Sequence, residues 1–120
     1  MALRCVLVDD NLIFLDTAER VLTAQGVEVV GTAQDSAAAL RLVRSVAPDV
    51  ALVDIELGAE DGVELTVELA PMTPVVLISA RDRDDISGLL DGSAAAGFIP
   101  KRALSADAIR SLLTTWRRDT

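Results

Sequence analysis

Polar residues that can carry charge or donate a proton follow directly after several apolar segments of this sequence; they are Asp9, Asp10, Asp54, Ser79 and Lys101. An acid at the end of a buried strand loses much of its water, which costs free energy unless a cation or a reaction partner compensates. Three acids in one pocket repel each other, and all-oxygen ligands without histidine or cysteine suit Mg²⁺ or Mn²⁺. An acid as nucleophile, a metal, a hydroxyl and an ammonium are together the components of phosphoryl transfer onto aspartate.

Each of these residues also has a purely structural interpretation. Asp54 and the Asp9-Asp10 pair could cap the helices that follow them. Ser79 could belong to an ordinary turn, and Lys101 could be a solvated surface amine. The chemical interpretation therefore depends on whether the fold brings all five side chains to one place.

The elements that must position them are five predicted strands, each followed by a predicted helix. The strands cover residues 3–8, 27–33, 50–53, 75–78 and 97–99. The helices begin near residues 11, 36, 62, 82 and 106, and the fourth extends to about residue 96. Glycines and serines in that fourth helix lower its helix propensity, so we expect it to be the most mobile element; they are Ser87, Gly88, Gly92 and Ser93.

Capping residues and apolar faces refine the first and last helices. Either Asn11 or Asp10 can cap the first helix, and Ser105 is predicted to cap the last. The face that the first helix buries is predicted to carry Phe14, Ala18, Val21 and Leu22, with Leu12 and Ile13 off that face.

The alternation of strands and helices predicts an α/β fold, a doubly wound parallel sheet with helices on both faces and right-handed crossovers. In the strand order 2-1-3-4-5, the first, third, fourth and fifth strands are neighbours. The carboxyl ends of parallel strands share one edge of a sheet, where ligands bind. All five polar residues are then expected to face one pocket.

Composition limits the function classes. The 120 residues suffice for one domain, and the formal net charge of −8 disfavours direct binding to phosphate backbones. The absence of histidine excludes a histidine-based catalyst or zinc site. No apolar run approaches the roughly 20 residues of a membrane span. With a single cysteine, Cys5, and no signal-peptide pattern, we expect a cytoplasmic protein that does not contact membranes.

Four motifs, spaced along nearly the whole chain, resemble the receiver domain of two-component response regulators. The motifs are Val8-Asp9-Asp10, the segment from Leu52 to Gly62 that contains Asp54, Ile78-Ser79-Ala80, and Gly97-Phe98-Ile99-Pro100-Lys101. The resemblance is greatest to receivers that precede a LuxR-type helix-turn-helix. It implies a flavodoxin-like (βα)5 receiver domain over residues 1–120, either alone or as the N-terminal part of a longer regulator.

The resemblance also implies a metal site and a phosphoacceptor. Asp54 would accept the phosphoryl group. Asp10 would bind Mg²⁺ or Mn²⁺ directly and Asp9 mainly through water. Glu56 stands where the family uses a backbone carbonyl as a metal ligand, so its side chain is not required.

The remaining roles concern the response to phosphorylation. Lys101 would contact the phosphoryl group, and Ser79 would hydrogen-bond it and draw the following loop inward. Phe98 stands at the position of the aromatic ring that turns inward when the hydroxyl moves. The surface of the fourth helix, fifth strand and fifth helix would then change to control an output, by this resemblance transcription.

The implied phosphodonor is a phosphohistidine on a sensor histidine kinase or a phosphotransfer protein. A homodimer is compatible with this role, and DNA would be reached only through an output domain outside this chain. The domain itself would not be an enzyme beyond accepting its own phosphoryl group and slowly losing it. Two alternatives remain open: a Mg²⁺-dependent aspartyl phosphatase and a receiver-like interaction module that is never phosphorylated.

Two positions depart from the family pattern. Arg102 replaces the proline that often follows the lysine in a cis bond, so the Lys101–Arg102 peptide is expected to be trans. Gly58 replaces a proline that often stands four residues after the phosphoacceptor, and it loosens the loop beside the site. Glu56 and Arg81 lie two residues past Asp54 and Ser79, where they could pair across the rim of the pocket and screen it from water.

Overall fold

The structure is a computed structural model that describes residues 2–118. Its strands are β1 (Arg4–Val8), β2 (Glu28–Ala33), β3 (Val50–Asp54), β4 (Glu56–Leu57), β5 (Glu60–Asp61), β6 (Val75–Ser79) and β7 (Gly97–Pro100). Its helices are α1 (Leu12–Ala24), α2 (Ser36–Val46), α3 (Gly62–Leu69), α4 (Arg83–Leu90) and α5 (Ala106–Arg118), and a short 3-10 helix covers Lys101–Ala103. None of the helices in this range is long and apolar enough to cross a membrane.

The five long strands form one parallel sheet in the order β2-β1-β3-β6-β7. Counted among long strands only, this is the predicted order 2-1-3-4-5, and the doubly wound α/β prediction is confirmed. The short strands β4 and β5 pair antiparallel as a separate hairpin, which the sequence pattern did not predict.

Side chains of each strand alternate between two apolar layers, because successive residues of a strand point to opposite faces. In β3, Ala51 and Val53 face the layer built with α2 and α3, whereas Val50 and Leu52 face the layer built with α1 and α5. All five residues of β3 are buried, as expected for a central parallel strand. Both faces of the sheet are therefore covered, and its polar atoms are reachable only at the edges and ends.

Side-chain caps fix where several helices begin. Asn11, not Asp10, caps α1: its Oδ1 accepts hydrogen bonds from the backbone N–H groups of Ile13 and Phe14 at 3.0 and 3.1 Å. Ser105 Oγ accepts from the N–H of Ala108 at 3.0 Å, which confirms the predicted cap of α5. Capping by Asn11 leaves the carboxylate of Asp10 available at the end of β1.

Two predictions on the helices are wrong in detail. Val21 is 39% exposed, because the buried face of α1 consists of Leu15, Ala18 and Leu22. Helix α4 ends at Leu90, six residues before the predicted end at residue 96, because Gly92 adopts φ +75°, a left-handed conformation that helices do not continue through. The mobility of α4 stays a prediction.

Candidate functional site

The predicted site residues meet at the carboxyl end of the sheet. They line one cavity of about 380 Å³, called here the acidic cavity, together with Asn11, Glu56, Gly58, Ala80 and Arg81. Asp9 and Asp10 follow β1, Asp54 ends β3, Ser79 ends β6, and Lys101 follows β7. The sheet thus brings together all five residues that the sequence placed at strand ends.

Asp54 is buried at the floor of the acidic cavity, with 6% of its surface exposed. Its Oδ1 accepts a hydrogen bond from the backbone N–H of Glu56 at 3.2 Å, and its Oδ2 lies 3.4 Å from Lys101 Nζ. Burial, and next the negative charge of Asp9, raise the pKa of Asp54 to about 6, which the positive charge of Lys101 only partly offsets. The carboxyl group is therefore held in an environment that penalises its charge.

Lys101 brings its ammonium between two acids. Its Nζ lies 2.6 Å from Asp9 Oδ2 and 3.4 Å from Asp54 Oδ2, and its side chain is only 17% exposed. Burial alone would lower the pKa of this amine, but the hydrogen bond to Asp9 and the charges of Asp54 and Asp9 raise it overall. Lys101 is thus kept charged beside the carboxylate of Asp54.

Three carboxylates in the acidic cavity can share one cation. Asp9, Asp10 and Asp54 each offer an oxygen, and these oxygens lie within 4.8 Å of one another. Asp9 Oδ1 accepts from the N–H of Asn11 at 2.9 Å, and the buried Oδ2 pairs with Lys101 Nζ at 2.6 Å. An all-oxygen donor set from three close carboxylates fits Mg²⁺ or Mn²⁺.

The loop after β3 approaches the site closely, and two glycines permit this. Gly58 has φ +61°, and a Cβ there would lie 3.2 Å from Asp10 Oδ2. At Gly62 a Cβ would lie 1.9 Å from the carbonyl oxygen of Asp54, so no other residue fits without moving the backbone. The β4–β5 hairpin that carries Gly58 therefore packs against the acids.

Glu56 and Arg81 form the expected ion pair at the rim of the acidic cavity. Both side chains are about half exposed, so the pair is weak. The carboxylate of Glu56 is turned to Arg81, and the metal role of the Glu56 backbone carbonyl stays a prediction. The effect of the Glu56–Arg81 ion pair on the lifetime of a phosphoryl group stays a prediction.

The hydroxyl and the ring of the expected switch are both buried. Ser79 is 2% exposed, and its Oγ accepts from the N–H of Arg81 at 3.0 Å. Phe98 is 4% exposed, with the guanidinium carbon of Arg83 5.7 Å from its ring centroid. The ring therefore already lies inward in this structure, and its movement with Ser79 stays a prediction.

Two contacts of the site were not predicted. The ring of Phe14, assigned by periodicity to the core face of α1, has its centroid 4.3 Å from Lys101 Nζ. Arg102 pairs with Asp82 at the start of α4. In the sequence, the only signal for the contact of Phe14 with the site is its position one helical turn after Asp10.

No peptide bond within residues 2–118 is cis, which confirms the trans peptide predicted between Lys101 and Arg102.

This geometry agrees with the comparison against protein families, in which the response regulator receiver domain matches residues 5–114. The chain belongs to the response regulator receiver domain family. The sequence motifs predicted a receiver domain of a two-component system, and this prediction is confirmed.

The receiver has relatives with different outputs. It is 36% identical over 114 residues to the probable transcriptional regulatory protein NarL of Mycobacterium tuberculosis, across 92% of the receiver and 53% of that protein. It is 30% identical over 116 residues to a protein-glutamate methylesterase/protein-glutamine glutaminase of a Nocardioides species, across 92% of the receiver and 32% of that protein. The chain thus spans about half the length of the first relative and a third of the second.

Solved structures agree on the fold. The receiver domain of the putative response regulator NarL from Mycobacterium tuberculosis superposes with a TM-score of 0.80 at 33% identity, over 97% of each chain. A CheY-like receiver from Methanospirillum hungatei has a TM-score of 0.79 at 23% identity, over the full length of both chains. The second likeness supports the fold alone.

Proposed function

We propose that this receiver accepts a phosphoryl group on Asp54 and changes shape in response. The observation that carries the proposal is the position of Lys101, whose ammonium is held 3.4 Å from Asp54 in a cavity that also contains Asp9 and Asp10. The donor we propose is a phosphohistidine of a sensor histidine kinase or of a phosphotransfer protein. The domain itself would act as a switch and not as an enzyme on other substrates.

In the transfer, a carboxylate oxygen of Asp54 attacks phosphorus. The new phosphorus–oxygen bond forms as the phosphorus–nitrogen bond of phosphohistidine breaks, and the imidazole nitrogen leaves with the bonding electrons. Lys101 and Ser79 would contact the phosphoryl oxygens and hold them in line. The protein's part is positioning and charge neutralisation, because the reaction needs little other covalent chemistry.

Asp9, Asp10 and Asp54 would hold Mg²⁺ or Mn²⁺, with a further ligand from the backbone at Glu56. When bound, the cation neutralises charge on the transferring phosphoryl group. Asp10 would bind it directly and Asp9 mainly through water. The short distances among the oxygens of the three acids support this assignment.

Phosphorylation would bias a two-state element beside the site. Ser79 would turn toward the phosphoryl group, Phe98 would be favoured in its buried position, and the surface of α4, β7 and α5 would rearrange. Regulation of transcription is the output we propose, since one relative is named a transcriptional regulatory protein. DNA contact and homodimer formation would then belong to the whole regulator, in the cytoplasm.

The test is radiolabelling from a small phosphodonor such as acetyl phosphate with Mg²⁺ present. Asp54→Asn should abolish acid-stable, base-labile labelling, whereas Asp91→Asn, which removes an exposed acid at the end of α4, should retain it. Labelling of the Asp54 variant at the wild-type rate would refute the assignment. A wild type that neither labels nor binds fluoroberyllate with Mg²⁺ would favour an unphosphorylated interaction module, and turnover of an aryl phosphate would favour a phosphatase.

A further inference from the structure

Lys101 is the only lysine of the chain, and its ammonium lies over the face of an aromatic ring. The ammonium lies 2.6 Å from Asp9 Oδ2, 3.4 Å from Asp54 Oδ2 and 4.3 Å from the centroid of the Phe14 ring. Phe14 lies on the first turn of α1, three residues after the helix cap Asn11. The ring is partly buried and reaches the apolar layer formed with α1 and α5.

The position of this ammonium is not fixed by its own backbone. A lysine side chain has four rotatable carbon–carbon bonds, and restricting it costs up to about 2 kcal/mol of conformational entropy. The shortest contact is with Asp9 Oδ2, at 2.6 Å, and Asp9 is also the acid that would hold the metal ion mainly through water. A metal-bound water at Asp9 would compete with the ammonium for that oxygen.

The contact between the ammonium and Phe14 is not subject to competition from a metal ion. The face of an aromatic ring attracts a cation, and a separation of 4.3 Å lies within the range of about 6 Å over which this attraction acts. The ring carries no charge, so a metal at the acids does not compete for it. It can therefore keep the ammonium beside Asp54 when Asp9 is engaged elsewhere.

We propose that Phe14 is a positioning residue for Lys101: it holds the ammonium where it meets the phosphoryl group on Asp54. This inference rests on the proposed function of the site. Phe14 touches none of the reacting atoms, so it acts only through the lysine. The competing interpretation is that Phe14 serves only to fill the apolar layer under α1.

A single-lysine chain allows the contact to be measured directly. Protein labelled with ¹³C-lysine gives one εCH₂ signal, and a ring beneath it shifts that signal upfield. In the presence of Mg²⁺, Phe14→Leu should remove this upfield shift, whereas Phe14→Tyr should keep it. An identical signal in the wild type and in Phe14→Leu would overturn the inference, whatever the binding data show.

The consequence for the site is measured by fluoroberyllate binding at saturating Mg²⁺. Phe14→Leu, which keeps an apolar side chain in the layer, should weaken binding of this phosphoryl mimic about three- to fivefold. Phe14→Tyr should stay within about twofold of the wild type. The affinity for Mg²⁺ alone should stay within about twofold, because the substitution removes no carboxylate and Phe14 does not line the acidic cavity.

A double-mutant cycle separates positioning from packing. In a Lys101→Ala background, Phe14→Leu should have no further effect on fluoroberyllate binding. An equal loss with and without Lys101 would show that Phe14 acts by packing and would overturn the inference. A wild type that binds Mg²⁺ but no fluoroberyllate would instead overturn the proposed function itself, and the positioning role with it.

Discussion

Asp54 differs from an ordinary capping aspartate, because burial and a neighbouring acid oppose its ionisation. Capping acids such as Asp35 and Asp61 are exposed and accept hydrogen bonds from helix N–H groups. Asp54 instead lies buried beside Asp9, and its nearest cation, Lys101, is held closer to Asp9. Such a site stores unfavourable energy in the metal-free protein, which a bound cation can relieve.

The raised pKa of Asp54 predicts a pH dependence of stability. Because the folded value is about 6 against an ordinary 3.8, the folded state binds more protons between these values, so its stability falls as the pH rises from about 4 to 6. Above pH 6 the charged group costs at most about 3 kcal/mol. Asp54→Asn should therefore be more stable than the wild type at pH 7.5 in EDTA.

Urea unfolding at several pH values measures this difference. The advantage of Asp54→Asn should shrink as the pH falls toward 4, because the folded wild-type group is then protonated and carries no buried charge. The same substitution at Asp91, an exposed acid, should give a difference that is small at every pH. A constant gap between the Asp54 variant and the wild type from pH 4 to 7.5 would contradict the prediction.

Helix α4 begins differently from its neighbours. Asp82 stands at its N-cap position but makes no capping hydrogen bond, because its carboxylate pairs with Arg102. Arg102 is the residue that replaces the family's common proline. The departure thus connects the segment after Lys101 to the start of the helix expected to rearrange, and it leaves that start without a side-chain cap.

This difference predicts that two Asp→Ala substitutions lower the free energy of unfolding by unequal amounts. Asp35→Ala removes a cap, since its Oδ1 accepts from the N–H of Ala38 at 2.8 Å, and should cost about 1 kcal/mol. Asp82→Ala removes only an exposed ion pair and should cost less than about 0.5 kcal/mol. Urea unfolding at low and high salt measures both. Equal costs for the two substitutions would show that Asp82 does cap α4 in solution.

The whole molecule carries a formal net charge of −8, and three of its aspartates lie close together in the acidic cavity. Monovalent salt should stabilise it generally, by screening repulsion across the surface. A divalent cation at the acidic cavity should add a separate, saturable stabilisation, because it binds the folded state alone. The two effects are separable by comparing solutions of equal ionic strength.

Mg²⁺ at ten times its dissociation constant should stabilise the fold by about 1.4 kcal/mol beyond NaCl of equal ionic strength. Thermal unfolding followed by circular dichroism detects this as a rise of a few degrees. Asp10→Asn should lose most of that increment, and Asp91→Asn, which changes the net charge equally, should keep it. Loss of the increment in both variants would show general screening and no specific site.

Much of the architecture could be predicted from the sequence, because the patterns that indicate strands and helices are local. Apolar runs at β1, β3 and β6, helix caps between them, and polar residues at their ends determine the elements and which residues end each strand. Given a parallel sheet, Asp54 and Lys101 must then meet at one edge. Convergence of the site follows from chain topology and needs no knowledge of side-chain conformation.

Only the tertiary structure decided the contacts between segments far apart in the chain. The pairing of Lys101 more closely with Asp9 than with Asp54, the ring of Phe14 beneath it and the diversion of Asp82 to Arg102 each depend on a few ångströms between separate elements. Periodicity places a residue on a face of its own helix but does not say which side chain of another element it meets. The sequence by itself therefore determined the fold and the residues of the site, and packing determined how the site's one ammonium is held.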